Sequence, residues 1–296
     1  MPTVQSRIIG SLLGGACGDA LGYPVEHKSY STIVKIYGEK GLDHMETTDG
    51  ISLITDDTQM TIYTAQGLLH AYEKGCNYLE TVQEVHKSYL RWINSLVNEN
   101  VVSLYENMYL KEELLEYNGI DKRMCRGGST FAALLSGEMY SVNHPAPEGV
   151  RCGTIMRSAP IGIYCYKNPK LAFLLGRDCA ALTHGHSSAY LSAGVMCMLI
   201  ALLLQGEEMK PAIDHCFQYL LTQPDGLPLY TVLKRGVELS ETPQEDPYMD
   251  IKKLGLGWRA DENLAIALYC CLRYRTNVKE ALCACVNHSG DSDSVA

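Results

Sequence analysis

Apolar positions that recur every three or four residues dominate the chain. After residue 58 they share one helical face: Ile62, Ala65, Leu69 and Tyr72. Thr58 or Asp57 is available as the N-cap of this helix. Similar patterns predict helices at 78–97, 129–135, 171–181, 188–204, 210–221, 229–239 and 262–274. Alternating strand patterns are scarce, so the sequence predicts an all-α fold in which many helices enclose one core.

No shift in composition marks a domain boundary, so we predict one domain spanning residues 1–296. The acidic, Pro-containing segment 241–250 is typical of a loop. The apolar run at 8–17 has four Gly or Ser residues and matches a signal peptide only weakly. The longest apolar run, 193–204, is too short to cross a bilayer and predicts a buried helix. A cytoplasmic location is therefore expected.

Charge and composition narrow the classes of partner. The chain carries 34 acidic and 25 basic residues, a formal charge of -9, and has no dense basic stripe, so no nucleic-acid partner is expected. With 46% hydrophobic and 20% charged residues, it fits neither a disordered chain nor a membrane-embedded bundle. The 12 cysteines are dispersed and form no pair of CxxC motifs, which indicates reduced thiols.

Two acidic segments are candidates for chemistry. Thr55, Asp56 and Asp57 stand at the start of a predicted helix, where they could serve as a cap or could bind a hard cation such as Mg²⁺ or Mn²⁺. Asp291 and Asp293 alternate with serines after a glycine near residue 296. Two carboxylates and a hydroxyl from each segment would supply six oxygens, a number that suits a pair of metal ions.

The chain resembles the ADP-ribosylglycohydrolase family. The matching segments follow the order of that family: 10–22 with Pro24 and Glu26, 55–60, 89–92, 153–162, 183–184, 257–265 and 287–294. The resemblance implies a compact, single-domain, multi-helix orthogonal bundle with a binuclear metal cleft that holds two divalent cations, Mg²⁺ or Mn²⁺.

Site residues carried over from this resemblance fall into three groups. The implied metal ligands are Thr55, Asp56, Asp57, Asp291, Asp293 and Ser294. The implied catalytic residues are Glu26, Asp56 and Asp57. The implied substrate-binding residues are Gly127, Gly128, Ser129, Cys152, Gly153, Met156 and His184. For His184 a purely structural role is an equal alternative at this stage.

The implied reaction is hydrolysis of the bond between C1″ of ADP-ribose and an acceptor on a modified protein, with arginine-linked ADP-ribose as the expected substrate. An ADP-ribosylated protein or an ADP-ribosyl small molecule is then the partner, and a monomer with no membrane contact is expected. Two alternatives remain open. The chain could bind ADP-ribose without turnover, or it could hydrolyse a free ADP-ribosyl or nucleotide-sugar compound.

The sequence departs from the family pattern at two places. The family's acidic motif leads into a helix rich in Gly and Ala, whereas this sequence stops at Ala296, so we expect a domain that lacks its C-terminal helix and a weakened metal site. Cys152 stands where some relatives have Asn, which leaves the details of the phosphate loop and the preferred acceptor open.

Overall fold

The computed structural model describes residues 2–96, 127–147 and 149–296. Over these ranges the chain is helical and forms no strand beyond two isolated bridges, which confirms the all-α prediction. The helices are α1 (Val4–Gly22), α2 (Tyr30–Tyr37), α3 (Asp56–Lys74), α4 (Tyr78–Leu96), α5 (Gly128–Leu135), α6 (Ala159–Tyr164), α7 (Pro169–Ala181), α8 (Ser187–Gln205), α9 (Met209–Leu220), α10 (Gly226–Glu241), α11 (Tyr248–Leu254), α12 (Ala260–Arg273), α13 (Val278–Val286) and α14 (Ser292–Val295).

All eight helices expected from periodicity are present, as α3, α4, α5, α7, α8, α9, α10 and α12. The last residue predicted for α4, Val97, lies outside the described residues. The loop expected at 241–250 is shorter, because α11 already begins at Tyr248. The remaining helices were not predicted; α1 is rich in glycine, and the others are short and carry few periodic positions.

The start of α3 differs from the prediction. Neither Thr58 nor Asp57 is its cap, because Thr55 has the extended backbone of an N-cap and its hydroxyl accepts a hydrogen bond from the Asp57 N–H. Asp56 and Asp57 therefore belong to the first helical turn. Their carboxylates lie beside the positive end of the helix dipole, which favours negative charge there.

The face of α3 that carries Leu69 and Tyr72 points to solvent, with these side chains 60% and 74% exposed. The buried face carries Met60, Tyr63 and Leu68, which pack in the core, together with Thr64 and Gly67. Thr64 shares a hydrogen bond with the Tyr89 hydroxyl, and at Gly67 a Cβ would lie 2.7 Å from the Cα of Val85. The predicted face was wrong because apolar residues lie on both sides of this helix, and the apolar pattern alone does not say which side meets α4.

Helix α8 lies at the centre of the fold. Its apolar side chains contribute to both larger core clusters, one with α9, α10 and α12 and the other with α3, α4 and α7. The whole helix is long and apolar enough to cross a membrane, although the 193–204 run alone was judged too short. However, 67% of its apolar stretch is buried inside the protein. The buried helix expected here is therefore α8, a core element.

Helix α1 packs closely against α14 through glycine. A Cβ at Gly22 would lie 2.5 Å from the Cα of Asp293, whereas a Cβ at Gly15 would meet nothing within 4 Å. We expect Gly22→Ala to lower the free energy of unfolding by about 1–3 kcal/mol, because the added methyl displaces backbone. Gly15→Ala, the matched control in the same helix, should raise it by about 0.5–1 kcal/mol. Urea unfolding measures both, and equal effects would contradict the close contact.

Candidate functional site

A cleft of about 350 Å³ lies between the starts of α3 and α5, the 152–154 turn and the segment that leads into α14. It collects nearly all of the residues that the sequence had singled out. The lining residues are Glu26, His27, Asp56, Asp57, Gly127, Gly128, Ser129, Thr130, Arg151, Cys152, Gly153, Met156, His184, Trp258, Asp291, Asp293 and Ser294. Segments that are far apart in the sequence therefore meet at one place.

Three carboxylates form the most compact group in the cleft. One oxygen each from Glu26, Asp291 and Asp293 lies within 4.8 Å of the other two. Glu26 follows the helical turn at the end of α1, where its N–H donates to the Gly22 carbonyl, and its side chain is only 9% exposed. Three close oxygens of this kind match the ligands that hard divalent cations prefer.

Asp56 and Asp57 line the same cleft outside this compact group. Burial, together with the charges of Glu26 and Asp19, raises the pKa of Asp56 to about 8. Burial also raises the pKa of Asp57 well above its ordinary value, with further contributions from Asp19, Asp56 and Asp291. Ionised carboxylates this close to one another would repel, so without cations the protonated form of these groups is favoured.

The second acidic segment is held by backbone contacts and by a thiol. The Asp291 N–H donates to the Leu256 carbonyl, and Gly290 has φ +122° where a Cβ would lie 2.0 Å from that same oxygen. The Cys152 thiol donates to Asp291 Oδ2, and burial raises the pKa of this thiol, which keeps it protonated. Burial likewise raises the pKa values of Asp291 and Asp293.

The residues present fit a divalent metal. Asp57 Oδ2 is buried and has no hydrogen-bond partner among the described residues. A buried carboxylate oxygen without a partner is costly unless a cation or proton satisfies it. The all-oxygen carboxylate set suits Mg²⁺ or Mn²⁺ rather than a thiolate-preferring metal.

Thr55 alone among the implied ligands does not line the cleft. Its hydroxyl accepts from Asp57 N–H, and its own N–H donates to both oxygens of Asp19. Asp19, to which the sequence analysis gave no role, also accepts hydrogen bonds from the backbone and hydroxyl of Thr58. This buried carboxylate therefore orients the start of α3, and its only sequence signal was its place in the 10–22 motif.

An aromatic pair that the sequence analysis missed borders the cleft. The rings of His27 and Trp258 are stacked, with centroids 4.7 Å apart and planes 17° from parallel. His27 has φ +65°, and its N–H donates to the Gly290 carbonyl, while Nε2 lies 3.2 Å from Glu26 Oε1. The hydrogen bond from the His27 N–H to Gly290 thus connects the segment of Glu26 to that of Asp291. Trp258 lay in the 257–265 motif, but nothing in the sequence pairs it with His27.

Another part of the cleft wall carries the implied substrate-binding residues. Gly127, Gly128 and Ser129 form the start of α5, which has no side-chain cap, and a helix start of this kind presents N–H groups to an anion. Gly153 and Met156 belong to the 152–154 turn and the residues after it, and His184 lies against Gly153. The buried hydroxyl of Thr130, also in this wall, has no hydrogen-bond partner among the described residues.

Thirteen of the fourteen implied site residues therefore line one cleft, with Thr55 capping the helix behind it. Their individual roles, the number of metal ions and the effect of a lacking C-terminal helix stay predictions.

Comparisons with known proteins extend this picture over the whole chain. The family model described as ADP-ribosylglycohydrolase matches residues 1–296. An uncharacterized protein of Archaeoglobus fulgidus is 26% identical over 306 aligned positions, which cover 99% of this chain and 85% of that protein. A solved structure described as an ADP-ribosylglycohydrolase-related protein complex has 25% identity and a TM-score of 0.67, covering 100% of this chain and 85% of that one. The likeness is not confined to the acidic segments.

Proposed function

The chain belongs to the ADP-ribosylglycohydrolase family, and on that premise we propose that it is a metal-dependent hydrolase that releases ADP-ribose from modified protein side chains. Membership of the family indicates hydrolase chemistry on ADP-ribose. The dependence on metal, the arginine linkage as preferred substrate, a cytoplasmic location and a monomeric state that contacts neither nucleic acid nor membrane are parts of the proposal.

One observation carries this proposal. The compact carboxylate group of Glu26, Asp291 and Asp293 lines the same 350 Å³ cleft as the helix start at Gly128. ADP-ribose has both of the chemical groups that such a cleft would bind, namely a diphosphate and a ribose with vicinal hydroxyls. The helix start suits the anion, and a carboxylate-held metal suits the ribose.

In the proposed reaction a water oxygen bonds to C1″ while the bond from C1″ to the acceptor nitrogen breaks, through an oxocarbenium-like transition state. The residues that would hold metal are Asp56, Asp57, Asp291 and Asp293, with Glu26 beside them. When bound, divalent cations would orient the ribose hydroxyls and lower the pKa of a water.

The proton balance of the reaction requires one acid–base group. Glu26 is the better placed of the candidates, because it belongs to the compact group and lies at the border of the cleft beside His27. Its carboxylate would accept a proton from the attacking water and pass it to the departing nitrogen. Asp57, which also lines the cleft, is the second candidate for this role.

Mass spectrometry of three substrates tests the proposal. Arginine-linked and serine-linked ADP-ribosyl peptides and a free ADP-ribosyl compound would each be incubated with the protein plus Mg²⁺, plus Mn²⁺, or plus excess chelator. We expect the arginine-linked peptide to lose ADP-ribose only when metal is present. Binding without turnover of any substrate would favour a protein that binds ADP-ribose and does not hydrolyse it. Turnover of the free compound alone would favour a small-molecule hydrolase. Full activity in chelator would overturn the metal assignment.

A further inference from the structure

A buried arginine lies behind the cleft wall. Arg157 is 1% exposed, its guanidinium stacks 4.4 Å above the ring of Tyr89, and it forms no ion pair with any described carboxylate. Its Nη2 donates to Thr183 Oγ1 over 2.6 Å. Placing an unpaired cation in the interior is costly, so its hydrogen bonds and ring contact must offset that cost.

Thr183 connects this arginine to His184. The hydroxyl lies 2.8 Å from His184 Nδ1 and 3.4 Å from the Ala180 carbonyl. An arginine can only donate, so Thr183 Oγ1 accepts from Arg157 and keeps one proton to give. If His184 Nδ1 carried a proton, it would donate to Thr183 Oγ1, and the Thr183 hydroxyl would then have to donate to the Ala180 carbonyl over the long 3.4 Å contact. Donation to Nδ1 over 2.8 Å is the better arrangement.

The rest of the imidazole lies in the cleft wall. A Cβ at Gly149 would lie 2.9 Å from the His184 ring, and one at Gly153 would lie 3.4 Å from it, so both glycines leave room for the imidazole. Among the described residues no hydrogen bond uses Nε2 of His184, and the residue lines the cleft. The same Cβ at Gly153 would lie 3.3 Å from Oγ1 of Thr130, whose buried hydroxyl also has no partner among the described residues.

The charge state of His184 agrees with this geometry. Burial, followed by the positive charge of Arg157, lowers the pKa of His184 to about 3. The ring is therefore neutral at physiological pH, and only one of its nitrogens carries a proton.

We propose that Arg157, acting through Thr183, fixes His184 as the tautomer protonated at Nε2, so that it presents a hydrogen-bond donor to an acceptor oxygen of the ligand in the cleft. In this assignment Arg157 and Thr183 are positioning residues, and His184 with Thr130 forms a donor pair beside Gly153. That the ligand is ADP-ribose rests on the proposed function; the tautomer does not.

Long-range proton–nitrogen NMR of the full-length protein labelled with ¹⁵N-histidine measures the tautomer directly, with His184→Gln used to assign the signals. We expect His184 to be protonated at Nε2 and not at Nδ1. His288 is the internal reference, because its Nδ1 lies 2.9 Å from the Ser289 carbonyl and must carry the proton. A His184 that is protonated at Nδ1, cationic or exchanging between tautomers would overturn the assignment.

Two substitutions at Thr183 test the chain of contacts from Arg157 through Thr183 to His184, called the relay here. Thr183→Val should leave His184 as a mixture of tautomers and weaken ADP-ribose binding about tenfold, since one donor of about 1.4 kcal/mol is no longer oriented. Thr183→Ser should restore both. Thr64→Val is the matched control. Thr64 is also fully buried, and its hydroxyl bonds the hydroxyl of Tyr89, the ring on which Arg157 stacks, but it forms no hydrogen bond with His184. It should leave the tautomer unchanged.

Calorimetry with ADP-ribose separates the possible failures. If the wild-type protein shows the expected tautomer but binds no ADP-ribose, the proposed function fails and the relay stands. If ADP-ribose binds and Thr183→Val binds it as tightly as wild type does, the donor role of His184 is wrong. If Thr183→Val does not fold, the tautomer of the wild-type protein still decides the central claim.

Discussion

Asp293→Ala is expected to reduce metal-dependent release of ADP-ribose by about a thousandfold or more, because losing a metal ligand removes several kcal/mol of transition-state stabilisation. The carboxylate of Asp293 is 4% exposed and lies within 4.8 Å of those of Glu26 and Asp291. The free energy of unfolding without metal should not fall in parallel, because the substitution also removes a buried carboxyl whose ionised form its neighbours repel. Initial rates with the arginine-linked peptide and thermal unfolding in chelator measure the two effects.

The matched control is Asp214→Ala, which removes an exposed carboxylate from α9, outside the cleft. It should keep wild-type activity. If Asp293→Ala retained most of the metal-dependent rate, the carboxylate group would not be the metal site. Loss of activity together with loss of the fold would point instead to a structural role in the contact between α1 and α14.

The stability of the metal-free protein should fall as the pH rises from about 7 to 8. The pKa of Asp56 is raised by burial from 3.8 to about 8, so in this window the folded state binds protons that the unfolded state has released. A carboxyl that is protonated in the folded state and ionised in the unfolded state lowers the free energy of unfolding by about 1.4 kcal/mol per pH unit. Burial shifts the pKa values of Asp57, Asp291 and Asp293 in the same upward direction.

Buried histidines oppose this effect below the lower limit of the window. Burial lowers the pKa values of His86 and His288 to about 4 and that of His184 to about 3, from 6.5. At pH 6.5 and below, the unfolded chain therefore binds more histidine protons than the folded one, and their contribution to stability rises with pH. Above about pH 7 most of these unfolded-state protons are lost, and the carboxylates determine the slope.

Saturating Mg²⁺ or Mn²⁺ should reverse the slope, because metal binding requires ionised carboxylates and competes with their protons. Thermal unfolding at pH 7, 7.5 and 8, with metal or with chelator, measures both slopes. Asp56→Asn, which keeps the side-chain shape without the charge, should give a shallower decline in chelator. A melting temperature that rises with pH in chelator would contradict the raised carboxyl pKa values.

The sequence predicted which residues line the cleft better than it predicted how they are arranged there. Asp57 and Asp293 were paired from sequence because each belongs to an acidic segment of a recognisable motif, and both line the cleft. The resemblance implied a catalytic role for Glu26 near the metal site, but residue spacing did not indicate that Glu26, rather than Asp56 or Asp57, would complete the compact group with Asp291 and Asp293. That grouping depends on how α1 ends and how closely Gly22 approaches Asp293, which is a matter of tertiary packing.

Eight helix positions followed from periodicity, but the buried face of α3 did not. Apolar residues lie on both sides of this helix, and the buried side adds to Met60 and Leu68 polar contacts that periodicity does not count, such as the hydrogen bond from Trp92 Nε1 to Gln59 Oε1. The relay from Arg157 to His184 was hidden for a similar reason. Its members are 26 and 27 positions apart along the chain, and only packing brings the guanidinium to the Thr183 hydroxyl.

The stack between His27 and Trp258 has an optical consequence. The chain has two tryptophans; Trp92 is fully buried in the core against Phe131, and Trp258 borders the cleft on the imidazole of His27. Indole emission responds to the polarity and the quenching groups around the ring. Fluorescence from Trp258 thus reports on ligands entering the cleft, while that from Trp92 reports on global unfolding, so the unlabelled protein carries one natural probe for each process.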